Sequence, residues 1–264
     1  MDNNAGVVLS VDMSDPSGGT GINAAIKTSH AFHGYAQSAI TAVSVQTPDA
    51  VLGIWPVPPV VVIDQIRAAF TSFNVGCILL GLLPGKETID AVGDFLDTLN
   101  PKVPVIVDPV ISSRDGKRFL GKPDIDALKR RILIHADLLM PNITEAENLT
   151  GMTIRDEQTM EHAAEMLLTL GPRNVFLKGA DLGMDKIYEI YVDDRRTQVF
   201  QSERLVSKKT HGAGATLAAA AAVLVAQGNT PRESVTRARQ YLEDAIKNAP
   251  DLGAQAGPLN HFVR

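Results

Sequence analysis

The chain reads as an α/β protein in three layers, with helices on both faces of a mostly parallel sheet and an antiparallel hairpin late in the sequence. Three observations predict this. Short apolar runs alternate with longer amphipathic stretches, the signature of βαβ units. The runs are continuously apolar, as strands covered on both faces must be. Toward the end, two strand-like segments, 186–192 and 197–205, flank the polar turn Asp193-Asp194-Arg195-Arg196 and break the rhythm.

In order, strands are predicted at 7–11, 39–45, 77–82, 103–107, 138–140 and 175–178. Helices are predicted at 22–32, 61–73, 88–99, 125–134 and 157–170. After the hairpin, an alanine-rich helix runs to Gln227, with Gly228 as its stop. A last helix spans 231–247, opened by Pro231 after Thr230. The cluster Pro56-Val57-Pro58-Pro59 is read as a loop inside one domain, because strand-like and helix-like patterns resume at once.

Composition excludes several classes. The chain has 264 residues, 45% hydrophobic and 21% charged, ordinary for a globular protein with a sizeable core. Its net charge of -5 gives no basic footprint for nucleic acid. The one cysteine, Cys77, lies in an apolar run and reads as a buried thiol, so no disulfide forms within the chain. The longest apolar block, 217–226, is about half the roughly 20 residues a bilayer span needs. The start, Met1-Asp2-Asn3-Asn4, is polar and acidic where a secretory leader is basic. A cytoplasmic protein is the expectation.

The chemistry concentrates after the strands, where open α/β sheets hold ligands. Thr210-His211-Gly212-Ala213-Gly214-Ala215-Thr216 is small-residue backbone opening into a helix. Glycines allow close approach to a ligand, and the first helical turn offers unpaired N–H groups, so this is an anion site suited to phosphate. Ser14-Asp15-Pro16-Ser17-Gly18-Gly19-Thr20-Gly21 is a second glycine-rich loop. It lacks the Gly-Lys-Ser/Thr ending of a Walker A loop and the dinucleotide-binding spacing. A tight structural turn explains it equally well.

Asp108-Pro109-Val110 places a carboxylate at a strand end, facing a ligand or serving as a helix cap. In Pro141-Asn142-Ile143-Thr144-Glu145-Ala146-Glu147, Thr144 and Glu147 fit a capping box. Asn142 and Glu145 are then free to point at a metal's hydration shell; Mg²⁺ with nucleotide phosphates takes only one or two carboxylates. Lys178-Gly179 closes a buried strand, so the amine must reach solvent or an anion. None of the six histidines pairs with other ligands at zinc spacing, and no Gly-x-Ser-x-Gly elbow occurs.

Together these pieces resemble the ribokinase-like superfamily, and within it the hydroxymethylpyrimidine/phosphomethylpyrimidine kinases of thiamine biosynthesis. The matching stretches are Ser14 to Ile22 with Lys27-Thr28, Ala39-Ile40-Thr41-Ala42-Val43 through Gln46, and Asp108-Pro109-Val110. Asn142 to Glu147, Lys178-Gly179, Thr210 to Gly214 and Gly257 to Phe262 follow in family order. The resemblance spans the whole chain and implies one domain, 1–264, with a ribokinase-like α/β/α sandwich.

What the resemblance implies is transfer of phosphate from ATP, with Mg²⁺, to 4-amino-5-hydroxymethyl-2-methylpyrimidine and then to its monophosphate. Gln46 would hydrogen-bond the aminopyrimidine, with Thr20, Leu82 and Val110 against the ring. Asp108 and Glu145 would serve the metal, with Asn142, Lys178 and Thr210 at the nucleotide. Gly212, Ala213 and Gly214 would form the anion hole, and the family is typically a homodimer. The chain departs from the family where alanine is common at Thr20, methionine at Leu82, small residues at Asp12-Met13, and glycine-histidine at Ala180-Asp181. The largest departure is Ala215, at the position of the family's catalytic base, a cysteine. His211 is the nearby candidate for a substitute base, or else has a structural role. A pyridoxal/pyridoxine kinase and a catalytically inactive pyrimidine-binding protein are the alternative readings.

Overall fold

The computed structural model describes residues 5–183, 185–205, 207–252 and 256–263. The polar start, Met1-Asp2-Asn3-Asn4, lies outside them. Nine strands form one sheet: β1 (Val7–Ser14), β2 (Tyr35–Gln46), β3 (Val51–Pro56), β4 (Cys77–Leu80), β5 (Val105–Val107), β6 (Leu138–Leu139), β7 (Val175–Lys178), β8 (Lys186–Val192) and β9 (Thr197–Glu203). Their order across the sheet is β3-β2-β1-β4-β5-β6-β7-β8-β9. The six from β2 to β7 in that order run parallel, and β3, β8 and β9 join antiparallel.

Among the described residues the eight α-helices are α1 (Gly21–Ala31), α2 (Pro59–Ser72), α3 (Lys86–Thr98), α4 (Lys122–Arg131), α5 (Ile143–Thr150), α6 (Glu157–Leu168), α7 (Ala213–Ala226) and α8 (Pro231–Lys247). They form two layers. Helices α2 to α6 bury one side of the sheet, with Ile66, Val92, Leu128 and Leu167 in its core. Helices α1, α7 and α8 bury the other, around Ala25, Ala218 to Val223, Val235 and Tyr241. Residues Thr216 to Leu224 of α7 are all buried, which explains why that helix is apolar all round.

Three elements differ from expectation. β3 was hidden in the stretch between the second strand and the proline cluster; it pairs with β2 on the outer edge, so only one face is covered and its apolar signal is broken by Gly53. α5 is a separate short helix, and the tail of the predicted 125–134 helix is a 3₁₀ turn, Leu133–His135.

The site is placed by the strand order. The chain lays β2 on one side of β1 and β4 on the other, so a crevice opens at their carboxyl ends. There β1 and β2 slip register: Asp12 pairs Ile40, but Ser14 pairs Val43. This bulge re-aims Thr41, whose hydroxyl donates to the Leu82 carbonyl at 2.6 Å.

Candidate active site

The first glycine loop folds around a buried carboxylate. Asp15 is fully buried and accepts hydrogen bonds from the backbone of Ser17 (2.8 Å), Gly19 (2.9 Å) and Thr20 (2.9 Å), and from the Ser17 hydroxyl. Burial alone would raise its pKa, but hydrogen bonds from His211, Ser17 and Thr20 hold it well below the usual carboxylate range.

The second glycine loop interlocks with the first. His211 Nε2 lies 3.2 Å from Asp15 Oδ2 and 3.0 Å from the Ser17 hydroxyl. A side chain at Gly19 would collide with the His211 ring, its Cβ falling 2.0 Å away. Gly212 caps α7 at φ +82°, and a Cβ there would fall 1.7 Å from the Gly19 carbonyl oxygen. His211 is therefore a strut between loops. Its Nε2 is engaged by both Asp15 and Ser17.

The mouth of α7 offers free donors. The amides of Gly214 and Ala215 find no backbone acceptor, while Thr216 already bonds to the Gly212 carbonyl. Lys178 reaches the same spot: its Nζ stands 3.4 Å from where a Gly214 side chain would begin. That ammonium pairs with Asp108 Oδ1 at 2.7 Å. Burial opposes its charge, but Asp108 and Glu145 overrule it and raise the Lys178 pKa. Burial pushes the Glu145 carboxyl up, against the pull of Lys178.

Asn142 and Glu145 have a local job that the sequence reading gave to Thr144 and Glu147. Asn142 Oδ1 accepts from the Glu145 amide and Glu145 Oε2 from the Asn142 amide, both at 2.8 Å. The helix begins at Ile143, two residues earlier than a Thr144 cap requires. Glu147 instead accepts from the Ile154 amide. The bridge between Asn142 and Lys178 still keeps this cap beside the cationic centre.

The same cleft is also lined by Met13, Thr20, Gln46 and Val110. Leu82 is a correction: it is fully buried in the core and does not line the cleft. Its amide donates to Asp12 Oδ1 at 2.8 Å, which ties β4 to β1 beneath the site. Gln46 is itself buried, and its Oε1 has no hydrogen-bond partner. The whole cleft has a volume near 1610 Å³, larger than one drug-sized ligand needs.

Sequence motifs missed two groups. Asp12 is buried, and burial pushes its carboxyl from the ordinary 3.8 to about 7. A charged residue inside an apolar strand run was its only signal. Arg114 lies in an exposed turn with no motif around it, yet lines the cleft and donates to the Thr210 hydroxyl at 2.7 Å. Among the described residues, no three His, Cys, Asp or Glu side chains cluster as a metal cage.

Half-buried donors at a helix mouth, a lysine aimed at them and two carboxylates, on a sheet of this order, define a small-molecule kinase, a phosphotransferase with a ribokinase-like fold. The comparisons agree. The chain belongs to the phosphomethylpyrimidine kinase family, whose model matches residues 15–260. It is 41% identical over 258 residues to the thiamine biosynthesis bifunctional protein ThiED of Geobacter sulfurreducens, covering 98% of this chain and 52% of that protein, about half its length. It is 33% identical to a hydroxymethylpyrimidine/phosphomethylpyrimidine kinase of Streptomyces coelicolor, covering 97% of this chain and 94% of that one. Among solved structures, the pyridoxal kinase of Staphylococcus aureus in complex with ADP superposes with a TM-score of 0.89 at 29% identity, over 97% of this chain and 93% of that one.

Proposed function

We propose that the protein transfers the terminal phosphoryl group of ATP to 4-amino-5-hydroxymethyl-2-methylpyrimidine and to its monophosphate, steps of thiamine biosynthesis, and that residues 1–264 act as a single kinase domain. The observation that carries the substrate class is Gln46 Oε1, a buried acceptor without a partner in a cleft whose far end binds anions. An unpartnered buried acceptor costs about 1–3 kcal/mol until a ligand donates to it. The exocyclic amine of an aminopyrimidine is such a donor. Thr20 and Val110 flank the ring.

At the α7 mouth, Gly212, Ala213 and Gly214 form the anion hole, the Ala213 amide already bonded to the Thr210 carbonyl and the free amides of Gly214 and Ala215 aimed at the transferring phosphoryl. Lys178, Asn142 and Thr210 hold the nucleotide phosphates. Asp108 and Glu145 fit Mg²⁺, which needs few protein ligands beside phosphates and waters. When bound, the ion would neutralise charge across those phosphates. Phosphoryl transfer rests mainly on positioning and charge stabilisation, so Ala215 slows the site without abolishing it.

The pyridoxal kinase reading has support of its own in the Staphylococcus aureus neighbour. An inactive binding protein is disfavoured because the phosphate machinery is intact. We also infer a homodimer joined at the antiparallel edge, where Val43, Val45 and Trp55 are exposed together although apolar. A cytoplasmic setting is supported by the single buried cysteine. No helix among the described residues is long and apolar enough to cross a membrane.

The test is ADP release with Mg²⁺-ATP and each acceptor in parallel. The pyrimidines are expected to exceed pyridoxal in kcat/KM. Gln46→Leu is expected to raise KM for the pyrimidines about 10-fold or more, the effect of one lost hydrogen bond to a buried partner. A higher kcat/KM on pyridoxal would sink the assignment.

A further inference from the structure

We propose, resting on the kinase reading above, that the preferred acceptor is the phosphate monoester rather than the alcohol, and that Arg114 seats that monoester's phosphate. The argument begins with what the two acceptors demand. An alcohol must lose its proton as it attacks. A phosphate monoester has a second pKa near 6 and is already a dianion at neutral pH.

The first turn of α7 carries no carboxylate, thiol or imidazole to take that proton. Position 215, on the first turn of α7, is alanine. His211 is held by Asp15 and Ser17. Asp15 is sealed by three backbone amides and a hydroxyl. The side chain that does face the α7 mouth is a cation, Lys178. Asp108 Oδ1 is occupied by that same ammonium, and Glu145 Oε2 by the Asn142 amide. A centre built of donors and a lysine welcomes an anion and does little for a neutral hydroxyl.

With the monoester the step balances without a base. A non-bridging oxygen of the dianion attacks the γ-phosphorus. The bond from that phosphorus to the oxygen bridging the β-phosphate breaks, and ADP leaves with the electron pair. The product is a diphosphate ester, and no proton moves.

The monoester brings a different problem, since two polyanions must meet in one cleft. Lys178 is already shared between Asp108, Glu145 and the nucleotide phosphates assigned to it above. Arg114 is not committed in this way: its contact is the neutral Thr210 hydroxyl, and among the described residues no carboxylate pairs with it. Its turn closes on itself through Ser113 N to the Lys117 carbonyl (2.9 Å) and Gly116 N to the Ser113 carbonyl (3.0 Å). Lys117 Nζ and Asp115 Oδ2 pin that turn to the backbone of Val51 at 3.2 and 3.3 Å. The guanidinium is thus held at the cleft's rim beside the start of the second glycine loop, with a planar fork suited to phosphate.

The experiment compares kcat/KM for the pyrimidine alcohol and its monophosphate using the full chain, ATP and Mg²⁺. The monophosphate is expected to lead by about 100-fold or more, the usual contribution of a missing base. Ala215→Cys should lower that ratio about 10-fold or more by raising turnover of the alcohol. Arg114→Gln should lower it about 10-fold through KM for the monophosphate, with Arg114→Lys recovering part of the loss. In pH profiles, the monophosphate rate should climb through about pH 6 and then level, while the alcohol rate keeps rising with pH. Equal or faster use of the alcohol overturns the proposal and leaves the kinase reading standing. So does an Arg114→Gln variant whose KM for the monophosphate matches the parent. Turnover of neither pyrimidine overturns both.

Discussion

At the phosphate end of the cleft, Asp15, His211, Lys178, Asp108, Asn142 and Glu145 are each bonded within the protein before any ligand arrives. At the ring end, Gln46 keeps a buried oxygen without a partner, and β1 enters through a register slip. The first end is preorganised around charge, so its donors need no rearrangement when the transferring group develops charge. The second end is completed by its guest. Rate should therefore depend chiefly on the first and selectivity on the second.

The largest expected break comes from Lys178→Met. It removes the cation at the α7 mouth and strands the buried Asp108 and Glu145 carboxylates. Loss of kcat/KM should be about 1,000-fold with KM for the pyrimidine little changed, as for other preorganised charge stabilisers. Steady-state kinetics on protein shown folded by circular dichroism checks it. An equal loss spread into KM would blur the division between the two ends.

Gly212→Ala should follow. It forces a side chain into φ +82° and against the Gly19 carbonyl at 1.7 Å. A stability loss of about 3 kcal/mol is expected, read from denaturant midpoints. Unchanged stability would mean that the loops are not interlocked.

Asp12→Asn tests the seam between the ends. The folded carboxyl titrates near 7 instead of 3.8 because burial disfavours its charge. Between about pH 4 and pH 7 the native state therefore binds more protons than the unfolded state, and stability falls as pH rises. The asparagine, which can still accept from the Leu82 amide, should be more stable than the parent at pH 8, by up to about 4 kcal/mol, and should flatten that fall. Thermal melts across pH decide; a less stable variant at pH 8 contradicts the sign.

The alternation of apolar runs and amphipathic stretches was enough to place β1, β2, the inner parallel strands and both terminal helices, because burial on both faces leaves an unbroken signal. β3 escaped because an edge strand is half covered. The glycine loops were legible as anion-binding backbone, but their interlock was not, since Gly19 and Gly212 meet only in space. Asn142 and Glu145 were singled out as polar groups for a metal's hydration shell, yet their mutual cap depends on where the helix starts, which shifts by two residues without changing the pattern. Leu82 was placed at the ring by resemblance; its side chain is instead fully buried in the core, and its amide bonds to Asp12. Arg114 carries no local signal at all.

The outer edge offers a practical return. Trp55 is the chain's sole tryptophan, and it sits 58% exposed on β3 with its indole folded over Gly53. Intrinsic emission from the unlabelled molecule therefore reports a single locality, remote in the sheet order from β7 and its Lys178. A blue shift on raising the concentration would register shielding of that indole from water, while catalysis proceeds without disturbing the readout.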